Sequence, residues 1–131
     1  MAMVNILIVD NNLLFRQTLR SALLALEPSM HIREAANGNT TLQEVNSRCP
    51  DLVFMDIQLQ GESGLTLTKK IKCLCPPVVI SIITNHDLPE YREIAYQYGA
   101  QYFFSKNSIT MDQVGVLLES VKKAQTSSPW N

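Results

Sequence analysis

Asn5–Asp10 has the sequence NILIVD, in which four consecutive apolar residues lead directly to an aspartate. A second run of the same kind, Leu52–Asp56, has the sequence LVFMD. A strand that is apolar at every position is usually buried on both faces, as in a parallel sheet covered by helices. An aspartate directly after such a strand lies at the carboxyl edge of the sheet, where open α/β sheets bind their ligands. The two runs therefore predict a parallel sheet with Asp10 and Asp56 at its carboxyl edge.

Two aspartates in equivalent places indicate a cation site, a reactive carboxylate, or both. The physical reason is that a buried charge is costly unless it is paired or bound to a metal. The alternative is that each aspartate only caps the turn that follows it, since Asp is common in turns. Both interpretations stay open at this point.

Length and composition set the class of protein. A chain of 131 residues with 46% hydrophobic residues fits one domain with a real core. The net charge of −1 gives no basic excess, so we expect no direct binding of nucleic acid by this domain. The longest apolar runs are strand-sized and no signal peptide is recognised, which predicts a cytoplasmic protein that does not enter a membrane.

The three cysteines are expected to be reduced. Cys49, Cys73 and Cys75 form an odd set in a chain without a recognised signal peptide, which is typical of reduced thiols. Cys73 and Cys75 make a C-x-C pair, but no second pair or nearby histidine completes a zinc site. We therefore expect ordinary packing thiols.

Short apolar runs alternate with helical patterns along the whole chain. The pattern predicts five strands at 5–9, 30–35, 52–55, 78–83 and 102–104, each followed by a helix. Thr40–Gln43 and Thr110–Gln113 are typical of capping boxes, and Asp87 is a candidate cap for the fourth helix. The sequence thus predicts one α/β domain over 4–124, with a tail or linker over 125–131.

Five strand–helix units favour a doubly wound parallel sheet with right-handed crossovers. The expected strand order is the flavodoxin-like 2-1-3-4-5, which places the first and third strands side by side. Asp10 and Asp56 would then be neighbours. That arrangement favours the functional interpretation of the two aspartates over turn capping.

The ends of the other strands add polar groups to the same edge. The fourth strand closes at Thr84, the fifth is followed by Lys106, and Asn11 follows the first aspartate. Acidic pockets of this kind hold Mg²⁺, which takes oxygen ligands. A carboxylate can act as a nucleophile towards phosphorus, while a lysine and a hydroxyl stabilise the phosphoryl oxygens. The edge therefore has the parts of a phosphoryl-accepting site.

With these motifs in place, the chain resembles the receiver domains of response regulators in two-component signalling, the CheY-like superfamily. Ile6–Asp10 is similar to the family's opening strand, and Asp51–Asp56 is similar to its phosphoacceptor strand, with Gly64 at the usual distance. Further matches are Thr84, Gly99-Ala100, Lys106 seven residues after Gly99, and Phe103 three residues before Lys106. Each motif alone is weak, but their order and spacing together are highly specific.

The resemblance implies a phosphorylation switch. Asp56 would accept a phosphoryl group from a sensor histidine kinase or a phosphotransfer protein. Mg²⁺, or Mn²⁺ in its place, would be held by Asp56, Asn11 and the backbone carbonyl of Gln58, with Asp10 acting mainly through a coordinated water. The resemblance implies a signalling domain rather than an enzyme, although such domains promote their own phosphorylation and dephosphorylation.

The resemblance also implies the route of the response. Lys106 would pair with the phosphoryl group and Thr84 would swing towards it. Phe103 would then change its packing and alter the face formed by the fourth helix, fifth strand and fifth helix, where a homodimer is possible. Leu14–Arg20 has a weak similarity to receivers joined to helix-turn-helix DNA-binding domains, which suggests transcription regulation as one possible output.

Asn11 departs from the family pattern, which usually has two adjacent acids after the first strand. An asparagine keeps a carbonyl oxygen for Mg²⁺ but removes one negative charge. Asn107, after the lysine, and Leu59–Gly61 both stand where a proline is common. The alternative function is therefore a receiver-like interaction module that works without phosphorylation. A flavin-binding protein is disfavoured, because the loop after the first strand lacks the Ser, Thr and Gly of a phosphate cradle.

Overall fold

The computed structural model describes residues 3–126. Five strands alternate with five helices: β1 Asn5–Val9, α1 Leu13–Leu26, β2 His31–Ala35, α2 Gly38–Ser47, β3 Leu52–Met55, α3 Gly64–Leu74, β4 Val79–Thr84, α4 Pro89–Gln97, β5 Tyr102–Ser105 and α5 Met111–Thr126. All four strand pairings are parallel and the order is β2-β1-β3-β4-β5. The predicted fold class and strand order are confirmed. Most of the predicted tail, residues 127–131, lies outside the described residues.

Alternating side chains of each strand pack on opposite faces of the sheet, as the pleat requires. In β1, Leu7 and Val9 join the hydrophobic cluster beneath α2, α3 and α4. Ile6 and Ile8 join the second cluster, beneath α1 and α5. Every residue of β1 and β3 is buried, so these central strands hold their carboxyl ends rigidly at one edge. In the described part of the chain, no helix is both long and apolar enough to cross a bilayer.

Two of the predicted helix caps are wrong. The second helix begins at Gly38 rather than at Thr40, because the Asn37 side chain accepts a hydrogen bond from the Thr40 amide. The α4 helix has Leu88 at its N-cap without a side-chain hydrogen bond, and Asp87 pairs instead with Arg92 at 2.9 Å. In α2 an earlier residue supplies the cap, and in α4 the expected capping side chain is used in an ion pair. The Thr110–Gln113 capping box is confirmed by reciprocal hydrogen bonds of 2.9 and 3.2 Å.

The expectation of three reduced thiols is also wrong, because Cys49 and Cys75 form a disulfide. The two cysteines lie just before the adjacent strands β3 and β4, where the Val79 amide donates to the Asp51 carbonyl oxygen at 3.0 Å. Their Cα atoms are 5.9 Å apart, within the usual range for a disulfide. Cys73 is free and exposed.

Gly64, the first residue of α3, packs directly on the backbone of Asp56. A β-carbon at this position would overlap the Asp56 carbonyl oxygen and lie 2.8 Å from its carbonyl carbon. The Gly64 amide also donates to the Ile57 carbonyl oxygen at 2.8 Å. The start of α3 and the residue after β3 are therefore held in one fixed arrangement, which requires glycine.

We predict that Gly64→Ala lowers the free energy of unfolding by about 1–3 kcal/mol, because the added methyl group forces the β3–α3 connection apart. Gly115→Ala is the matched control: position 115 lies within α5 and a β-carbon there meets nothing within 4 Å. The free energy of unfolding of that control is expected to rise by about 0.5–1 kcal/mol, because alanine has a higher helix propensity than glycine. Urea unfolding of both variants measures the difference, and equal effects of the two substitutions would contradict the packing argument.

Candidate functional site

The carboxyl edge of the sheet brings together Asp10, Asp56 and Lys106. The Lys106 Nζ lies 2.7 Å from Asp10 Oδ2 and 3.3 Å from Asp56 Oδ2. Only 1% of the Asp10 surface and 7% of the Asp56 surface are exposed. Two buried carboxylates therefore share one ammonium group, which leaves the three side chains with a net charge of −1 when all are ionised.

Backbone amides hold both carboxylates in place. Asp10 Oδ1 accepts a hydrogen bond from the Asn12 amide, and Asp56 Oδ1 accepts one from the Ile57 amide, each at 2.8 Å. The main chain of Asp56 is fixed in turn, because its amide donates to the Val9 carbonyl oxygen at 2.9 Å. Each carboxylate thus directs Oδ1 to the backbone and Oδ2 to Lys106.

The charged form of Asp10 is unfavourable in this setting. Burial raises the pKa of the Asp10 carboxyl and the Asp56 charge adds to the rise, while Lys106 and the Asn12 amide act in the opposite direction. Its Oδ2 contacts the ammonium as an ion pair and has no aligned hydrogen-bond partner among residues 3–126. A buried carboxylate oxygen with an unused acceptor position is suited to a cation or a cation-bound water.

Thr84 lies at the end of β4 and is fully buried. Its hydroxyl oxygen accepts a hydrogen bond from the His86 amide at 3.1 Å, and its carbonyl oxygen accepts one from the Lys106 amide at 2.9 Å. The threonine and the lysine predicted for the site are therefore joined through the main chain of adjacent strands.

Phe103, on β5, is 5% exposed and packs in the cluster beneath α3 and α4. The Arg92 guanidinium lies over its ring, with Cζ 4.7 Å from the centroid. Arg92 is itself paired with Asp87, at 2.9 Å. A cation–π contact of this kind favours the buried position of the ring.

The other two residues predicted to bind the metal, Asn11 and Gln58, are not held by hydrogen bonds from the described part of the chain at the oxygens that would bind it. The Asn11 side chain is exposed and makes no hydrogen bond to the described residues. Gln58 is also exposed, and its carbonyl oxygen accepts no hydrogen bond from them. Both oxygens are therefore available to a cation at this edge. Within residues 3–126, no group of three His, Cys, Asp or Glu side chains is close enough to hold a metal, so a cation here would depend on amide and carbonyl oxygens as well.

Two residues of α1 that the sequence analysis did not assign to the site also contact it. The Phe15 ring lies against Lys106, with Nζ 4.2 Å from the centroid. Arg16 donates to the Asp10 carbonyl oxygen at 2.7 Å and pairs with Glu34 at 2.9 Å. Both belong to the first turn of the helix after β1, and that position is the signal that could have identified them.

Comparison with known proteins identifies the family. The model of the response regulator receiver domain matches residues 6–117. The chain belongs to the response regulator receiver domain family. Receivers are signalling domains that interact with histidine kinases or phosphotransfer proteins and generally bind Mg²⁺ for phosphorylation.

Curated relatives agree with this assignment. The receiver is 32% identical over 104 residues to the sensory transduction protein LytT of Bacillus subtilis, covering 79% of this chain and 42% of that protein. It is 31% identical over 122 residues to the oxygen regulatory protein NreC of Staphylococcus haemolyticus, covering 92% and 56%. Some relatives are enzymes, such as a protein-glutamate methylesterase of Methanosarcina mazei at 31% identity. The chain spans between 32% and 58% of the first five curated relatives that it matches.

Solved structures show the same fold. The signal receiver domain of the response regulator NarL from Mycobacterium tuberculosis is 27% identical and superposes with a TM-score of 0.81, covering 93% of this chain and 98% of that one. The receiver domain of NtrX from Brucella abortus is 30% identical with a TM-score of 0.78, covering 88% and 96%. These likenesses extend over nearly the whole receiver.

Asp10→Asn is predicted to raise the free energy of unfolding of the metal-free receiver at pH 7, by on the order of 1 kcal/mol. Because the folded-state pKa of Asp10 is raised, its charge opposes folding at neutral pH, and this cost is lost as pH falls through that pKa. The gain from the substitution should therefore vanish below the ordinary Asp value of 3.8.

Urea unfolding across this pH range, with EDTA present, measures the effect. The control is Asp112→Asn, which removes an exposed acid from the first turn of α5. The prediction is contradicted if Asp10→Asn is less stable than the wild type at pH 7, or if its gain stays constant with pH.

Proposed function

We propose that this receiver, over residues 4–124, accepts a phosphoryl group on Asp56 from a histidine kinase or phosphotransfer protein and switches the conformation of its output face. The observation that carries the proposal is the Lys106 ammonium, which contacts both buried carboxylates at the edge of the sheet where Asp56 lies. Asp56 is the proposed acceptor because, of the two carboxylates that face this cation, it is the more exposed, at 7% against 1% for Asp10.

The chemistry is a transfer between a phosphohistidine and a carboxylate. Asp56 Oδ2 attacks phosphorus, the bond to the partner's imidazole nitrogen breaks, and an acyl phosphate forms on Asp56. The Ile57 amide holds Oδ1 and so fixes the direction in which Oδ2 points. Lys106 supplies positive charge to the phosphoryl oxygens, which is how such transfers are mainly stabilised. Hydrolysis of the acyl phosphate, in which water attacks phosphorus and the Asp56 carboxylate is released, would end the signal.

Magnesium fits the charges and donors of this edge. The three charged side chains carry a net −1, so an incoming anionic phosphoryl group needs a further cation. Mg²⁺ or Mn²⁺ takes hard oxygen donors, and this edge offers Asp10 Oδ2, which also contacts Lys106, an Asp56 oxygen, the Asn11 side-chain oxygen and the Gln58 carbonyl. When bound, the ion would neutralise charge on the phosphoryl oxygens.

Thr84 and Phe103 provide the proposed switch. A hydroxyl that turns towards the phosphoryl group must give up the hydrogen bond from the His86 amide. The space that Thr84 leaves, and the loss of the Lys106 ion pairs, would change the packing of β4 against β5. Phe103 would then leave its contact with Arg92 and alter the face of α4, β5 and α5. A local charge change thereby biases a two-state element.

The curated relatives are longer than the segment that this chain matches, which supports an output beyond the receiver. Several are named as transcriptional regulators, such as the NarL proteins of Mycobacterium tuberculosis. We therefore propose a cytoplasmic regulator whose output is control of transcription, with a homodimer through the α4, β5 and α5 face. The comparisons give no support to the alternative of a receiver-like module that is independent of phosphorylation.

We predict that the receiver incubated with acetyl phosphate and Mg²⁺ gains the mass of one phosphoryl group, and that Asp56→Asn abolishes this gain because the nucleophile is lost. Asp112→Asn should be phosphorylated like the wild type, since Asp112 is exposed on α5. Intact-protein mass spectrometry measures the result. Absence of the phosphoryl group from the wild type, or its persistence in Asp56→Asn, would overturn the assignment.

Asn11→Asp is predicted to bind Mg²⁺ more tightly than the wild type, on the order of tenfold, because it restores a negative charge beside Asp10. Asn46→Asp adds the same charge to an exposed position on α2 and should leave the affinity unchanged. Calorimetric titration of the three proteins with MgCl₂ measures the affinities. Equal affinities of the wild type and Asn11→Asp would show that Asn11 does not limit metal binding.

A further inference from the structure

The Cys49–Cys75 disulfide lies at the edge of the sheet opposite to Asp56, and its two residues differ in exposure. Cys49 is exposed, in the connection before β3, whereas Cys75 at the end of α3 is only 2% exposed. Thiol–disulfide exchange begins when an external thiolate reaches one sulfur, so access decides which one is attacked. Exchange at this bond is therefore directed to Cys49.

The bond also lines a cavity. A space of about 320 Å³ opens between the disulfide, the start of β3 and β4, and the end of α5, with Pro50, Asp51, Pro77 and Val121 among its walls. This volume is at the lower end of small-molecule sites, which span roughly 300–1,000 Å³. A low-molecular-weight thiol of peptide size therefore has a recess in which to approach the exposed sulfur.

The cross-link encloses the segment that carries the proposed acceptor. The two cysteines are 26 residues apart, and the loop between them contains β3, Asp56 and all of α3. Its two ends are joined by the disulfide, and near its middle Gly64 packs against the Asp56 backbone. Closing a loop of this size restricts the unfolded and locally opened states of the whole segment.

We propose that Cys49–Cys75 is a reversible redox site at which a low-molecular-weight thiol, of the glutathione type, is taken up on Cys49. The thiolate sulfur bonds to Cys49 Sγ, the Cys49–Cys75 bond breaks, and the Cys75 thiolate leaves and takes a proton. A second small thiol attacks the mixed disulfide and releases Cys49 as a free thiol. The protein disulfide is thereby reduced, and the two small thiols are oxidised to one small disulfide. The small disulfide drives the reverse reaction and restores the cross-link.

The consequence for signalling rests on the proposed function. With the cross-link closed, the segment from β3 to α3 resists local opening, and with the two thiols free it opens more readily. The oxidation state of the pair would thus set the rigidity of the segment that holds Asp56. Disulfides that respond to the thiol pool are the usual kind in reducing compartments, where receivers are proposed to act.

The test uses the full chain in buffers of reduced and oxidised glutathione, followed by acid quenching, alkylation and peptide mass mapping. In oxidised buffer we expect a Cys49–Cys75 peptide pair, and on addition of reduced glutathione an adduct on Cys49 with Cys75 alkylated. Cys73→Ser should behave in the same way. Two free thiols at 49 and 75 in oxidised buffer, or an adduct on Cys75 in place of Cys49, would overturn the proposal.

A second measurement follows the loop itself, by hydrogen exchange and thermal unfolding. Reduction of the wild type should raise exchange in β3 and α3 and lower Tm by on the order of 5–15 °C. Cys49→Ser, which changes an exposed residue, should respond to neither reductant nor oxidant in these readouts. A wild type whose exchange and Tm are unchanged by reduction refutes the proposed role of the cross-link.

None of these readouts involves a phosphodonor, so the two proposals fail separately. If the protein exchanges thiols at Cys49 but takes up no phosphoryl group on Asp56, the proposed phosphoryl transfer is refuted and the proposed redox site stands. A chain that is phosphorylated normally but forms no disulfide refutes the redox site alone.

Discussion

The structure depends on the placement of two carboxylates around one ammonium group. Asp10 and Asp56 are almost completely removed from water, and Lys106 is the cation that contacts both. Two buried carboxylates that contact the same ammonium group would repel each other strongly in a medium of low dielectric constant. The sheet can hold both only because a third strand, β5, brings the lysine to the same edge. The parallel strand order therefore lowers the free-energy cost of burying the two carboxylates.

The same order makes the site rigid. The backbone amides of Asn12 and Ile57 each donate a hydrogen bond to one oxygen of a carboxylate. The Lys106 amide donates a hydrogen bond to the Thr84 carbonyl oxygen. Each donor lies within three residues of the end of a strand, so the ends of the parallel strands set the geometry. Such preorganisation suits a site that must accept charge without rearranging its donors first.

Much of this arrangement could be predicted from the sequence. Uniformly apolar runs that end in Asp10 and Asp56 predict buried parallel strands with acids at their ends, and the alternation with helices predicts their adjacency. The starts of α2 and α4 were harder to predict, because the Asn37 side chain caps α2 from a position before Thr40 and Asp87 pairs with Arg92 rather than capping α4. The disulfide depends on a distance between two loops in the folded sheet, which no local pattern of the sequence records. Phe15 differs from the disulfide, because its position in the first turn of α1 is a signal in the sequence that it lies beside the site.

Asn11 gives this edge its particular balance of charge. With aspartate at that position the acids would number three against one lysine, a net charge of −2, whereas the present set has a net charge of −1. A smaller excess of negative charge attracts a divalent cation less strongly, but it also adds no further repulsion to the burial and the Asp56 charge, which already raise the pKa of Asp10. We therefore propose that Asn11 lowers the affinity for a divalent cation and lowers the repulsion within the metal-free site. Asn11 is exposed and makes no hydrogen bond or ion pair with the described residues, so we expect its effect on the site to act through charge.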